Sequence, residues 1–245
     1  MKRIRLLLLF CCSISFSTYA LTMRIGTPEF TPPFVINTPH YVLQGFDIEF
    51  MNQICKQLGW DCQYIAIKDN NFYKALTDKQ IDLALGGLVI TLNNDPAFKF
   101  TLPYLPSKAG IVYLVPNNFT TINDLINKRI GAIQGTVYNT FLTEQFPLPV
   151  KTRSYPTYSE LILGIKNGEL DAAFINDYTA LYLAHQYPGV VQALNQQIDL
   201  GYGIGIAALA SNSDKIEQIN KVILEFQNNG TFTKLYNYYF AFFVK

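Results

Sequence analysis

Histidine is nearly missing from this chain of 245 residues: there are two, His40 and His185, and a single tryptophan, Trp60. So few imidazoles, so far apart, exclude the common histidine-based zinc sites, and the four cysteines show no C-x2-C spacing, so no metal or cofactor is expected. Charge is sparse as well. Charged residues make up 15% of the chain, with 19 Lys and Arg against 18 Asp and Glu, which gives no basic footprint for nucleic acid. Beyond residue 20 no run approaches the ~20 apolar residues of a membrane-spanning helix. Internal repeats and low-complexity linkers are not apparent.

Apolar residues are plentiful, at 49%, enough to build real cores in one large domain or two smaller ones. The N-terminus reads differently from the rest. Lys2, Arg3 and Arg5 precede an apolar run from Leu6 to Phe16, then Thr18-Tyr19-Ala20, the pattern of an export signal over residues 1–20 cut after Ala20. Lipidation of Cys11 or Cys12 is the lesser alternative, because bulky Phe10 stands where a small residue is needed. Cleavage removes three basic residues and no acid, leaving 16 against 18, a net charge of −2. It also leaves Cys55 and Cys62 as the remaining thiols in an oxidising compartment, where a disulfide is expected over two buried free thiols.

These cysteines close the stretch "GFDIEFMNQICKQLGWDC", Gly45 to Cys62. Asp47 can cap a helix whose apolar positions Ile48, Met51, Ile54, Cys55 and Leu58 recur at threes and fours; Gly59 ends it, and "CQYIAI" reads as a strand. Downstream, short apolar strands alternate with helical periodicity, the pattern of α/β units. "MRIGT", "IDLALGGLVI", "GIVYLVP", "KRIGAIQGT" and "LDAAFI" read as strands, with the glycine pair of the second opening a loop where a ligand approaches backbone. Thr136 can cap one helix, "TYSE" (Thr157 to Glu160) begins another, and Ser213 opens a third whose apolar face holds Ile216, Ile219, Ile223 and Phe226. The glycines Gly201, Gly203 and Gly205 do not match a nucleotide loop and read as turns; the aromatic cluster from Tyr236 to Phe243 reads as core packing.

Gly-Phe-Asp-Ile-Glu-Phe followed by Ile54 and Cys55 resembles the signature of the periplasmic polar amino-acid-binding proteins, solute-binding protein family 3. The spacing of Cys55 and Cys62 resembles that of members binding arginine, histidine or lysine and ornithine. The likeness continues through "LTDKQIDLALGGLVIT", "TLPY" and "KRIGAIQGT" to "NNGTFTKLYNYYF". It implies an α/β, two-lobed, type II periplasmic binding protein fold with two crossover strands: residues 21–108 plus 204–245 in lobe 1, and 109–203 in lobe 2. It further implies a monomeric periplasmic receptor for a small molecule, a basic or polar amino acid, delivering to an inner-membrane ABC permease on another chain, with hinge closure and no catalysis.

The site implied by the resemblance departs from the family pattern. The family's carboxylate-binding arginine falls on Asn94, its ammonium-binding aspartate on Asn176, a frequent serine or aspartate on Val89, a stacking tyrosine on Thr31, and a usually apolar position on Asp69. Neighbours offer substitutes: Asp177 for the aspartate, Phe30 for the aromatic, Asp95 beside Asn94, and backbone donors near Gly87 and Thr136 for the carboxylate, the latter beside a helix N-terminus. Other readings stay open: a polyamine or other solute that is not an α-amino acid, an enzyme similar to cyclohexadienyl dehydratases, or a sensory role. His185, on a helix, reads as a surface or capping group.

Overall fold

The computed structural model describes residues 20–37, 42–67, 71–91 and 95–243. In chain order the elements are β1 (Leu21–Thr27), β2 (Ile36–Asn37), β3 (Leu43–Gln44), α1 (Phe46–Leu58), β4 (Trp60–Ala66), α2 (Phe72–Thr77), β5 (Leu83–Ala84) and β6 (Phe98–Phe100). Then come β7 (Lys108–Leu114), β8 (Arg129–Ile133), α3 (Val137–Glu144), β9 (Lys151–Tyr155), α4 (Tyr158–Lys166), β10 (Ala172–Asn176) and α5 (Asp177–Gln186). The chain ends with β11 (Val191–Ala193), β12 (Ile198–Asp199), β13 (Ala207–Leu209), α6 (Ser213–Asn228) and α7 (Thr231–Phe240).

Two sheets result. The first runs β4-β1-β5-β13-β6, and the second β11-β7-β10-β8-β9 with β12 added to β7. In each, a central strand (β1 or β8) is parallel to both neighbours, and the strand beyond (β13 or β7) is antiparallel. Parallel neighbours require a crossover, supplied by α1 between β1 and β4 and by α3 between β8 and β9.

The sequence shows no repeat, yet the two lobes carry the same clamp. Arg24, midway along β1, grips Asp82 through its backbone N–H, Nε and Nη2, and donates Nη1–H to the carbonyl of Lys79. Arg129 at the start of β8 does the same to Asp171 and the carbonyl of Gly168. Hydrogen bonds and charge from Arg129 hold Asp171 below the usual carboxylate range; for Asp82, burial pushes upward and the bonds from Arg24 prevail. Both arginines are thereby spent on structure, one within β1 and one at the start of β8.

The chain passes between the sheets twice, near residues 101–108 and 200–206, and the passages are bonded to each other. Tyr104 N–H donates to the Ile204 carbonyl at 3.0 Å, Ile204 N–H to Leu105 at 2.8 Å, and Leu200 N–H to Ser107 at 3.1 Å. A third connection is made by side chains. Tyr178 of α5 lies in the core of the first sheet, its ring 4.7 Å from Phe240 and 5.8 Å from Phe34, while Phe243 meets Tyr182 and His185 of α5.

Most elements follow their sequence signals. Thr157 caps α4 by accepting from Glu160 N–H, and α6 buries Ile216, Ile219, Ile223 and Phe226. Three expectations need correction. Asp47 does not cap α1: Gly45 occupies the N-cap, and the Asp47 side chain is drawn elsewhere. "IDLALGGLVI" yields only the two-residue β5, because Gly86 and Gly87 take positive φ of 125° and 74° and turn the chain. The terminal aromatics are not all core: Phe240 is fully buried, whereas Tyr238 and Phe242 are 72% and 73% exposed. No helix among the described residues is long and apolar enough to cross a membrane.

Cys55 of α1 and Cys62 of β4 form a disulfide with Cα atoms 6.3 Å apart. Replacing both by serine is expected to cost about 2.5 kcal/mol through restored loop entropy. Thermal denaturation should register this as a fall in Tm of roughly 5–10 °C, with the fold retained.

Candidate functional site

The strand ends define the site. The C-terminal ends of β5 in the first sheet and of β8 and β10 in the second lead to residues that line one cavity, and open α/β sheets bind ligands beyond such ends. The loop after β5 turns at Gly86-Gly87; β8 runs through Gly135 to Thr136, which caps α3 by accepting from Asn139 N–H at 3.3 Å; β10 ends at Asn176, which caps α5. Between the lobes lies a cavity of about 870 Å³ walled by both of them, within the size range of small-molecule sites.

Its first wall depends on Asp47, which is buried in α1. The carboxylate accepts from Gly86 N–H at 3.0 Å, Gly87 N–H at 2.9 Å and the Tyr104 hydroxyl at 3.0 Å. Burial raises the Asp47 carboxyl to about 7, against the three hydrogen bonds that favour its charge. The second wall holds Tyr138 and Tyr158 from the first turns of α3 and α4, with hydroxyls pushed above their usual range by burial. Asn176 is 1% exposed: its Oδ1 accepts from Tyr178 N–H at 2.9 Å, and its Nδ2 donates to the Tyr138 hydroxyl at 2.7 Å.

A family model for bacterial extracellular solute-binding proteins, family 3, matches residues 23–242. The chain belongs to this family. It is 28% identical over 240 residues to an arginine-binding periplasmic protein of Mannheimia haemolytica, covering 97% of this chain and 98% of the relative. It is 27% identical over 243 residues to the ABC transporter arginine-binding protein 1 of Escherichia coli K12, covering 98% and 99%. A crystal structure of an arginine third transport system periplasmic binding protein from Legionella pneumophila superimposes with a TM-score of 0.84 at 30% identity, covering 90% of this chain and all of that one.

In this family 3 protein, Thr31, Gly87, Val89, Thr136 and Asn176 line the cavity together, as does Asp95. Asp69 and Asn94 lie outside the described residues, as does His40. Two proposed substitutes are elsewhere. Phe30 is 37% exposed and off the wall: the chain folds back at Thr31, which bridges to Val35, so Thr31 faces inward and its neighbour outward. Asp177 turns away from the cleft, accepts from Gln197 Nε2 at 2.7 Å, and fits against Gly110, where a Cβ would sit 2.9 Å from its Oδ1. Burial raises its carboxyl to about 6, opposed by Lys108. Gly87 lines the cleft, but its N–H is taken by Asp47 and is no ligand donor. His185 lies in the last turn of α5 beside Phe243, away from the cavity.

Sequence reading missed the aromatic wall: Phe72, Tyr73, Phe98, Tyr138, Phe141 and Tyr158. A usable signal existed for part of it. Tyr138 and Tyr158 follow the capping threonines Thr136 and Thr157 within two residues, so helices that start at the cleft present their first-turn side chains to it.

The raised Asp47 carboxyl has a defined consequence for stability. An unfolded aspartate titrates near ~3.9, so the native chain holds a proton that the unfolded chain has released, and stability falls as pH rises toward about 7. Asp177 acts in the same direction, but centred a unit lower, so it is half titrated at pH 6 and largely ionised by pH 7. Between pH 6 and 7, Asp47→Asn should therefore flatten the decline in urea stability, by up to about 1.4 kcal/mol per pH unit. A variant with the wild-type slope would contradict this assignment.

Proposed function

We propose that this family 3 protein is the periplasmic receptor of an ABC importer and closes its two lobes around a basic or polar amino acid such as arginine, lysine or glutamine. One observation carries the reading: a single cavity is walled by side chains from both sheets, in a chain that aligns almost end to end with arginine-binding periplasmic proteins. The lobes divide as residues 21–108 plus 204–245 and 109–203, a division supported by β7 joining the second sheet and Ile204 bridging back to Val89 and Leu105. Thr31, Val89, Thr136 and Asn176 contact the ligand from opposite lobes, and closure about the paired crossovers removes it from water.

The protein acts as an exported monomer, cut after Ala20, whose permease is a separate chain. It binds without converting its ligand. The relatives it aligns with almost end to end are named as binding proteins, which supports binding over catalysis.

A thermal-shift screen of protein unfolded and refolded to strip carried-over ligand tests the reading. Its panel is the twenty amino acids, ornithine, citrulline, polyamines and prephenate. A ligand at 1,000 times its Kd adds about 4 kcal/mol, a rise in Tm of roughly 8–16 °C. A shift with arginine, lysine or glutamine is expected. A shift with a polyamine or prephenate alone would take the protein out of the amino-acid class.

A further inference from the structure

Among the described residues lining the cavity, Asp95 is the one acidic or basic side chain. Its surroundings fix it there. Asp95 Oδ1 accepts from Ala97 N–H at 2.8 Å, and its carbonyl accepts from Phe98 N–H at 2.9 Å, a tight turn that sets the carboxylate at the start of β6. Directly beside it, Phe98 packs edge-on against Tyr73 with ring centroids 4.8 Å apart, and both rings belong to the same cavity wall. A carboxylate next to aromatic faces suits a cation, which gains a charge-assisted hydrogen bond and a quadrupole contact together.

The opposite wall has the reverse character. Thr136 stands at the N-terminus of α3, where the helix dipole favours negative charge, and Asn176 offers no carboxylate. All three arginines beyond residue 20 are occupied away from the cavity: Arg24 by Asp82, Arg129 by Asp171, and Arg153 beside Glu169 at 4.0 Å. An amino acid whose carboxylate lies against lobe 2 keeps its α-ammonium on the same carbon. The group able to reach Asp95 on lobe 1 is therefore the side chain.

We infer that Asp95 is the specificity-determining residue of this receptor and selects ligands with a cationic side chain, held by its carboxylate against the Tyr73–Phe98 pair. This rests on the amino-acid-receptor reading above, and the two can fail separately.

The test is titration calorimetry of wild type, Asp95→Asn and Asp95→Glu with arginine and with citrulline, its neutral isostere. Asparagine keeps the Oδ1 acceptor for Ala97 N–H, so the turn is retained, and equal Tm values of the unliganded proteins verify it. Wild type should prefer arginine, Asp95→Asn should lose about tenfold or more on arginine with citrulline unchanged, and Asp95→Glu should keep the preference. Equal losses on both ligands, or no loss on either, would overturn the assignment while leaving the receptor reading intact. If wild type binds neither these nor any other amino acid, the receptor reading itself fails, and the assignment with it.

Discussion

Asp47 accepts three hydrogen bonds, from Gly86 N–H, Gly87 N–H and the Tyr104 hydroxyl, and so ties α1, the loop after β5 and the first crossover to one buried point. The glycine pair that lines the cleft is placed relative to it. Gly86 cannot carry a side chain there, because a Cβ would sit 2.2 Å from the Pro28 ring and its φ is 125°. The chain must bend sharply at this glycine pair, and the carboxylate supplies partners for amides that the short β5 leaves over. An apolar residue at 47 would strand three buried donors, each at a cost of about 1–3 kcal/mol.

The rest of the molecule extends this arrangement twice over. Each sheet ties an inner strand, β1 or β8, to the segment before its parallel neighbour with the same arginine–aspartate clamp. The lobes are joined by the paired crossovers and by α5, whose N-cap Asn176 lines the cavity while Tyr178, two residues on, is buried with Phe34 and Phe240 of the other lobe. A displacement of Asn176 would therefore move a helix that is also packed into the core of the first sheet. This gives a physical route from binding to closure.

Local signals carried much of the fold in the sequence. Thr136 and Thr157 cap helices because a hydroxyl followed by a periodic apolar run is a local chemical fact, and Cys55 and Cys62 pair because seven residues of helix end and strand bring them together. The site was legible only where chain position decides it, as at Thr31, Thr136 and Asn176. Asp47 looked like a cap because its tertiary partners, Gly86 and Tyr104, are 39 and 57 residues away. Asp177 lies off the cavity for a related reason: adjacent residues at a helix start point in different directions, and the gap left by Gly110 takes its carboxylate. The Arg24 and Arg129 clamps escaped notice as a repeat since they span 58 and 42 residues, so no fixed period exists.

The account depends on a ligand bridging two lobes that move about residues 101–108 and 200–206. Small-angle X-ray scattering of the stripped protein, with and without saturating arginine, measures that movement directly. A smaller radius of gyration on adding arginine, absent with a non-binding amino acid, is the predicted result. An unchanged radius at concentrations where calorimetry shows full binding would contradict closure and leave a rigid cleft in its place.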